Sequence, residues 1–335
     1  MNEIIEMTKL ERFPIVKKGV RVHYEGSIDK AGANDDWDWA LYQDKKGEWV
    51  LFECQSSGCI YNFVQHRYPD SPEPTFRFYF DGEEEPRFTI RHSQFGEIYP
   101  FVEPLASRYI GPYDHGRGPI RVVRSFVPMP FARSCRITSD VKLEGSDRKK
   151  GEGGWGHVIY HTYYDNRPVI TFQRESKDYE ALIDFWKGVG GEVIPFSEEK
   201  KKWESDFVLA PGEEKIVFDD DEGGMISGVC LLTKDFRRED LQNLWVRVSC
   251  DDHSIPDVDT PFGCFFANEL GYHPTSYLLV GMNVQGGYYH RYPMPYRNKA
   301  QIMLINKGKI PVCFGTLSVR YTREFNNIYR QEPFG

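Results

Sequence analysis

A chain of 335 residues exceeds the usual size of one compact domain, so two hydrophobic cores are expected. Its 20 Tyr and 23 Phe, together with 30 Gly and 21 Pro, suit many short strands joined by turns and exclude an all-helical protein. A formal net charge of −8 excludes nucleic acid and anionic membrane as main partners, because either needs a basic surface.

In chain order, MNEIIEMTKLERF mixes acids and bases with isolated apolar residues and lacks the apolar run of a secretory signal. No later stretch is long and apolar enough for a spanning helix, so the expected location is cytoplasmic. The seven Cys carry no CxxC spacing, which reads as reduced thiols. Next comes GANDDW, where Asn34, Asp35 and Asp36 stand beside Trp37 and Trp39. Carboxylates hold hydroxyls and aromatic faces stack on C–H groups, which suits a sugar pocket; a turn capped by Asp and Asn side chains fits the same residues.

FRFYFDG alternates with Phe76, Phe78 and Phe80 on one side, and LWVRVSCD alternates likewise from Leu244 to Cys250, so both predict half-buried strands. PYDHGRGP is a Gly-rich loop bearing Asp114, His115 and Arg117, suited equally to ligand contact and to an ordinary connection. His157 and His161 lie four apart, but the alternation around them predicts a strand, which separates them too widely for one metal. Tyr179, Leu182, Ile183 and Trp186 follow helical spacing, with Ser176 as N-cap and Gly188 as stop. The following run from Glu198 to Asp206 reads as a solvated mixed-charge segment, and Asp219 to Glu222 as a solvated turn. In YYHRYPMPY, Tyr289 and Arg291 are candidate substrate contacts on what otherwise reads as an aromatic strand ended by prolines.

The chain repeats itself. Gly58 and Gly224, Asp81 and Asp251, and Pro128 and Pro293 recur in the same order at offsets of 166, 170 and 165. The expected architecture is all-β: two tandem jelly-roll β-sandwiches with one short connecting helix, the first over 1–175, a helical and charged connection over 176–206, and the second over 207–335.

SIDKAGANDDW, FECQSSGCIYNF, FRFYFDGEEEP, VPMPFARSCRI and its echo RYPMPYRNKAQI resemble the domain of unknown function 2961, classed as glycoside hydrolase family 172. The resemblance runs over nearly the whole chain. It implies a double jelly roll assembled as homotrimers, or hexamers of paired trimers, with sites at protomer contacts. It also implies cleavage of α-D-fructofuranosides or α-D-arabinofuranosides without a metal or other cofactor. The same architecture resembles some viral capsid proteins, so fold alone does not fix function.

One departure bears on chemistry. Family enzymes carry a Glu-Asp pair before an aromatic pair, whereas Gly263 and Cys264 precede Phe265 and Phe266 here, so the usual nucleophile does not transfer. Glu269, a few residues on, becomes the leading catalytic carboxylate, with Asp36, then Asp252, then Asp114 as its expected partner. Two functions follow: a furanoside hydrolase with a carbohydrate substrate, or a non-catalytic assembly or glycan-binding protein that has lost the nucleophile.

Overall fold

The computed structural model describes residues 2–29, 31–32, 39–68, 71–114, 119–143, 154–189, 201–232, 236–269, 274–283 and 287–323. The chain divides into two compact units, Met1–Thr8 with Lys17–Lys187, and Lys9–Val16 with Gly188–Gly335. No helix among the described residues is long and apolar enough to cross a membrane.

The first unit has thirteen described strands: β1 (Val20–Gly26), β2 (Tyr42–Gln43), β3 (Trp49–Cys54), β4 (Gly58–Arg67), β5 (Thr75–Phe80), β6 (Phe88–Arg91), β7 (Glu97–Ile98), β8 (Phe101–Val102), β9 (Ala106–Asp114), β10 (Pro119–Ser125), β11 (Met129–Phe131), β12 (Cys135–Ser139) and β13 (Gly154–Tyr163). One sheet runs β1-β13-β4-β10-β9 with β11 also on β4, and the other β2-β3-β12-β5-β6. Ile60, Phe63, Val123 and Val158 of the first sheet share a core with Phe52, Phe76, Phe78 and Ile137 of the second, which makes the unit a sandwich. Two helices belong to it, α1 (Glu3–Glu6) and α2 (Asp178–Lys187). The helix expected from Tyr179 to Trp186 is α2; it packs Tyr179, Leu182 and Ile183 into this core, and the Tyr179 hydroxyl donates to the Pro128 carbonyl at 2.6 Å.

The second unit contains β14 (Lys201–Leu209), β15 (Glu214–Asp220), β16 (Gly224–Leu232), β17 (Leu244–Cys250), β18 (Val258–Pro261), β19 (Val280–Met282), β20 (Tyr288–His290), β21 (Met294–Tyr296), β22 (Ala300–Asn306) and β23 (Val312–Thr322), with helices α3 (Arg238–Asn243) and α4 (Phe262–Phe265). Its sheets run β14-β23-β16-β20-β19, with β21 on β16, and β15-β22-β17-β18. This repeats the order of the first unit, except that β2 and the β7-β8 ribbon have no counterpart among the described residues. The charged run is solvated where it is described, and Lys201 to Asp206 form part of β14, an edge strand that carries its charges outward. One local reading changes. Asp220 is not solvated: it is 9% exposed, paired with Arg323 and accepting from the Tyr296 hydroxyl at 2.7 Å, because it ends β15 on a buried face.

The repeated landmarks are structural devices. Gly58 and Gly224 open β4 and β16, where an added Cβ would stand 2.2 Å from the His161 carbonyl oxygen and 2.6 Å from that of Thr322. Asp81 and Asp251 follow β5 and β17 with φ of 52° and 51°. The Asp81 carboxylate accepts from the backbone of Arg133 at 2.6 Å and Ser134 at 3.2 Å; that of Asp251 accepts from Arg297, Asn298 and Lys299. Each aspartate thus ties the end of one strand to the turn before β12 or β22. A short acid tolerates the left-handed region better than most side chains, and its oxygens satisfy donors that the turn leaves unpaired.

Candidate functional site

Asn34, Asp35, Asp36 and Trp37 lie outside the described residues, as do His115 and Arg117. Their flanks are fixed at one end of the first sandwich. Ser27 donates its backbone N–H to the Gly156 carbonyl at 2.9 Å, and Trp39 donates to that of Leu143 at 3.0 Å. Trp39 is 2% exposed and packs near Phe63, with ring centroids 5.8 Å apart, so it is a core residue and not a sugar-stacking face. Asp114 closes β9 opposite Pro119, at the tip of the β9–β10 hairpin.

In the second unit, Glu269 is exposed and follows a tightly determined turn. Phe262 and Phe266 of this segment are fully buried and Phe265 nearly so, which fixes α4 in the core. Beyond it Ala267 sits at φ 53°, while Asn268 donates to the Gly263 carbonyl at 2.7 Å. A non-glycine residue in the left-handed region costs about 1 kcal/mol or more and persists only where packing enforces it. The Cys264 thiol hydrogen-bonds the Glu269 side chain, and burial together with that carboxylate raises the thiol pKa. Gly263 stands where the family resemblance implies the first acid of the Glu-Asp pair. A Cβ there would lie 2.9 Å from Glu269 Cα and 3.1 Å from the Asn268 and Leu241 carbonyl oxygens. This backbone has no room for a side chain at 263.

The other candidates divide. Tyr289 is 1% exposed, donates its hydroxyl to the Tyr277 carbonyl at 2.5 Å and lies under the Arg291 guanidinium, 4.2 Å from the ring centre. It is a packing residue, a correction to its reading as a substrate contact: alternation along β20 sends Tyr288 into the core and Tyr289 to the other face, where the Tyr277 segment and Arg291 cover it. Burial lowers the Arg291 pKa. Asp252 is exposed in the turn after β17, at φ 57°. Pro261, the residue before α4, pairs with Trp245 near the opposite end of β17. At about 3.3 Å per residue, that strand puts roughly 20 Å between Asp252 and the α4 turn, so the fold does not bring Asp252 to Glu269.

Sequence reasoning missed a cleft of about 590 Å³ on the outward face of the five-stranded sheet. Arg136 of β12 is the cross-strand partner of Glu53 on β3 and of Tyr79 on β5. Its guanidinium lies 4.5 Å from the Tyr79 ring centre and 3.9 Å from Asp44 Oδ2. The Tyr42 hydroxyl donates to Glu53 at 2.9 Å, and burial, then that carboxylate, raises the phenol pKa. Phenols, a guanidinium and carboxylates on one concave face can hold a polyol through hydrogen bonds and ring stacking. The available signal was the outward set of the alternating strands, Arg77 and Tyr79 against Phe76, Phe78 and Phe80. A second cleft, about 610 Å³, lies in the other unit beside Asp251, His253 and Asp257. His253 Nδ1 is 2.8 Å from Asp257, which raises the imidazole pKa.

Among solved structures the chain is similar to a putative secreted protein from Eubacterium rectale, at 7% identity over 90% of this chain and 73% of that one, with a TM-score of 0.24. It is also similar to AerE from Microcystis aeruginosa, at 6% identity over 82% and 92% of the two chains and a TM-score of 0.16. T=1 particles derived from infectious bursal virus give 7% identity, 96% and 75% coverage, and a TM-score of 0.21. Likenesses this low carry no argument. No curated protein matches the chain. Family models are decisive instead: the GH172 first beta-sandwich domain matches residues 18–180 and the GH172 domain-like model residues 199–315. With a match in each unit and most of its length covered, the chain belongs to the GH172 family, and that membership supports a glycoside hydrolase-type function.

Proposed function

We propose that the chain cleaves furanosides of the α-D-arabinofuranoside or α-D-fructofuranoside type, as a homotrimer or hexamer with its carboxylates at protomer contacts, Glu269 being one of them. The observation that carries this reading is the Glu269 turn: an exposed carboxylate held by three buried phenylalanines and a left-handed Ala267. Strain of this kind clusters where a side chain must be aimed. Glu269 would attack the anomeric carbon, the leaving oxygen taking its proton from a second acid, or would itself supply that proton. Asp36 is the partner this reading assigns. Hydrolysis of p-nitrophenyl α-D-arabinofuranoside and of fructofuranosyl oligosaccharides tests it. Glu269→Gln should keep its fold and assembly state by light scattering and lose turnover by about a hundredfold or more, as loss of a proton-transfer or covalent group does. A loss under about tenfold would move the chemistry to another residue.

A glycan-binding protein without turnover is the second reading, favoured by the blocked position 263 and by the Tyr42, Glu53, Tyr79 and Arg136 cleft. Under it, furanosyl oligosaccharides bind without being cleaved, and Tyr42→Ala weakens binding while Glu269→Gln leaves it unchanged.

A further inference from the structure

One end of the first sandwich carries charge that the side chains of the described residues do not neutralise. Phe63 lies in the core, and alternation along β4 puts Gln65 and Arg67 on the same inward face. On β10, Val123 lies in the core and Arg121 shares its face. Arg67 and Arg121 are direct cross-strand partners, and the next residue in that row, Ile110 of β9, is 52% exposed, so the row stands at an opening. Arg108, opposite Val123, adds a third guanidinium at the sheet edge.

Arg67 is 4% exposed and His92, in the turn behind the row, 1%. Arg67 Nη1 donates to the Ser71 carbonyl, yet Arg67 Nε, Arg121 Nε and His92 Nε2 are buried without a hydrogen-bond partner. Among the described residues two carboxylates stand near. Glu73 accepts from the Ser93 backbone at 2.6 Å, and Glu97 lies 3.8 Å from Arg108. Like charges on opposed strand positions repel, and buried donors without acceptors are costly, so among the described residues this arrangement lacks an acceptor that fits between the guanidinium groups.

We propose that this end of the first sandwich binds an oxyanion, the carboxylate or phosphate group of a ligand, between Arg67 and Arg121, with His92 at its back and Arg108 at its mouth. A guanidinium offers parallel N–H donors spaced for two oxygens of such a group, and a partly buried site strengthens each charge-assisted bond. The site stands whether or not the chain is a hydrolase, because its test reads binding and not turnover.

Calorimetric titration of the full chain with inorganic phosphate, D-glucuronate and neutral L-arabinose at pH 7 tests it. Saturable binding of phosphate, of glucuronate or of both is expected, and the preferred probe tells which oxyanion the site takes; arabinose should give no signal that depends on these arginines. Arg121→Gln should lose affinity by at least about tenfold while its unliganded melting midpoint holds or rises, as relief of cross-strand repulsion requires. Should that variant fail to fold, Arg108→Gln at the exposed edge should lose affinity severalfold. Absence of binding by either anion up to about 10 mM, which is weaker than any specific site of this kind, would overturn the proposal. So would unchanged affinity in the folded arginine variant.

Discussion

The two sandwiches share one strand order and one pair of landmark devices, and they differ in how they treat polar groups. In the second, Tyr296 stands where the first has Phe131, against the glycine that opens the long central strand. The added hydroxyl is answered in full: it donates to Asp220, which is in turn bound by Arg323. In the first unit the corresponding ring is apolar, while Arg67 and His92 sit buried at the open end with nitrogens unanswered. Repetition therefore marks what the fold needs. Departure from it marks where one copy carries chemistry that the other lacks.

The largest expected effect breaks a shared device. Gly58→Ala would press a methyl into the His161 carbonyl of β13 and should cost about 3–5 kcal/mol or prevent the first unit from folding. Gly228→Ala, in the second unit's matching strand, meets nothing nearer than 3.8 Å and should stay within about 0.5 kcal/mol. Chemical denaturation followed by near-UV signal separates the two; equal losses would mean that close approach at Gly58 is not what the repeat preserves.

The next effect sharpens the polar contrast. Asp220→Ala strands the Arg323 guanidinium and the Tyr296 hydroxyl together, at a cost of about 3 kcal/mol. Phe131→Tyr in the first unit creates the hydroxyl without its acid and should cost about 1–3 kcal/mol. Burial works against ionised Asp220, but the hydrogen bonds from Arg323 and Tyr296 win and hold its pKa below the usual 3.8. A carboxyl depressed by folding contributes stability that is complete above its unfolded value and is lost as pH falls through the folded one. The wild-type melting midpoint should accordingly drop below about pH 4, and Asp220→Ala should flatten that part of the profile. A parallel profile in the variant would show that the ion pair contributes nothing.

The smallest effect concerns the Glu269 turn. Ala267→Gly relieves a left-handed alanine and should stabilise the second unit by about 0.5–1 kcal/mol. If the strained turn aims Glu269, that gain comes with slower hydrolysis; a variant both more stable and fully active would separate the strain from function.

The sequence alone determined a good part of this protein. Alternation in FRFYF and LWVRVSC exposed the inward faces of β5 and β17, because a strand's period of two is local. Gly58 with Gly224, and Asp81 with Asp251, were legible as a repeat because close backbone approach and left-handed backbone admit few residue types. Helix α2 was visible in its 3.6-residue period. Tertiary structure decided the rest, since side chains far apart in the chain meet only through strand register. Glu53, Arg136 and Tyr79 form one row of the cleft although 83 residues separate the first two. Asp252 stood among the expected partners of Glu269, and the pairing of β17 with β18 puts it at the far end of that strand from the α4 turn. Arg67 and Arg121 showed no motif at all, and they became neighbours only because β10 pairs with β4 in that register and turns both inward.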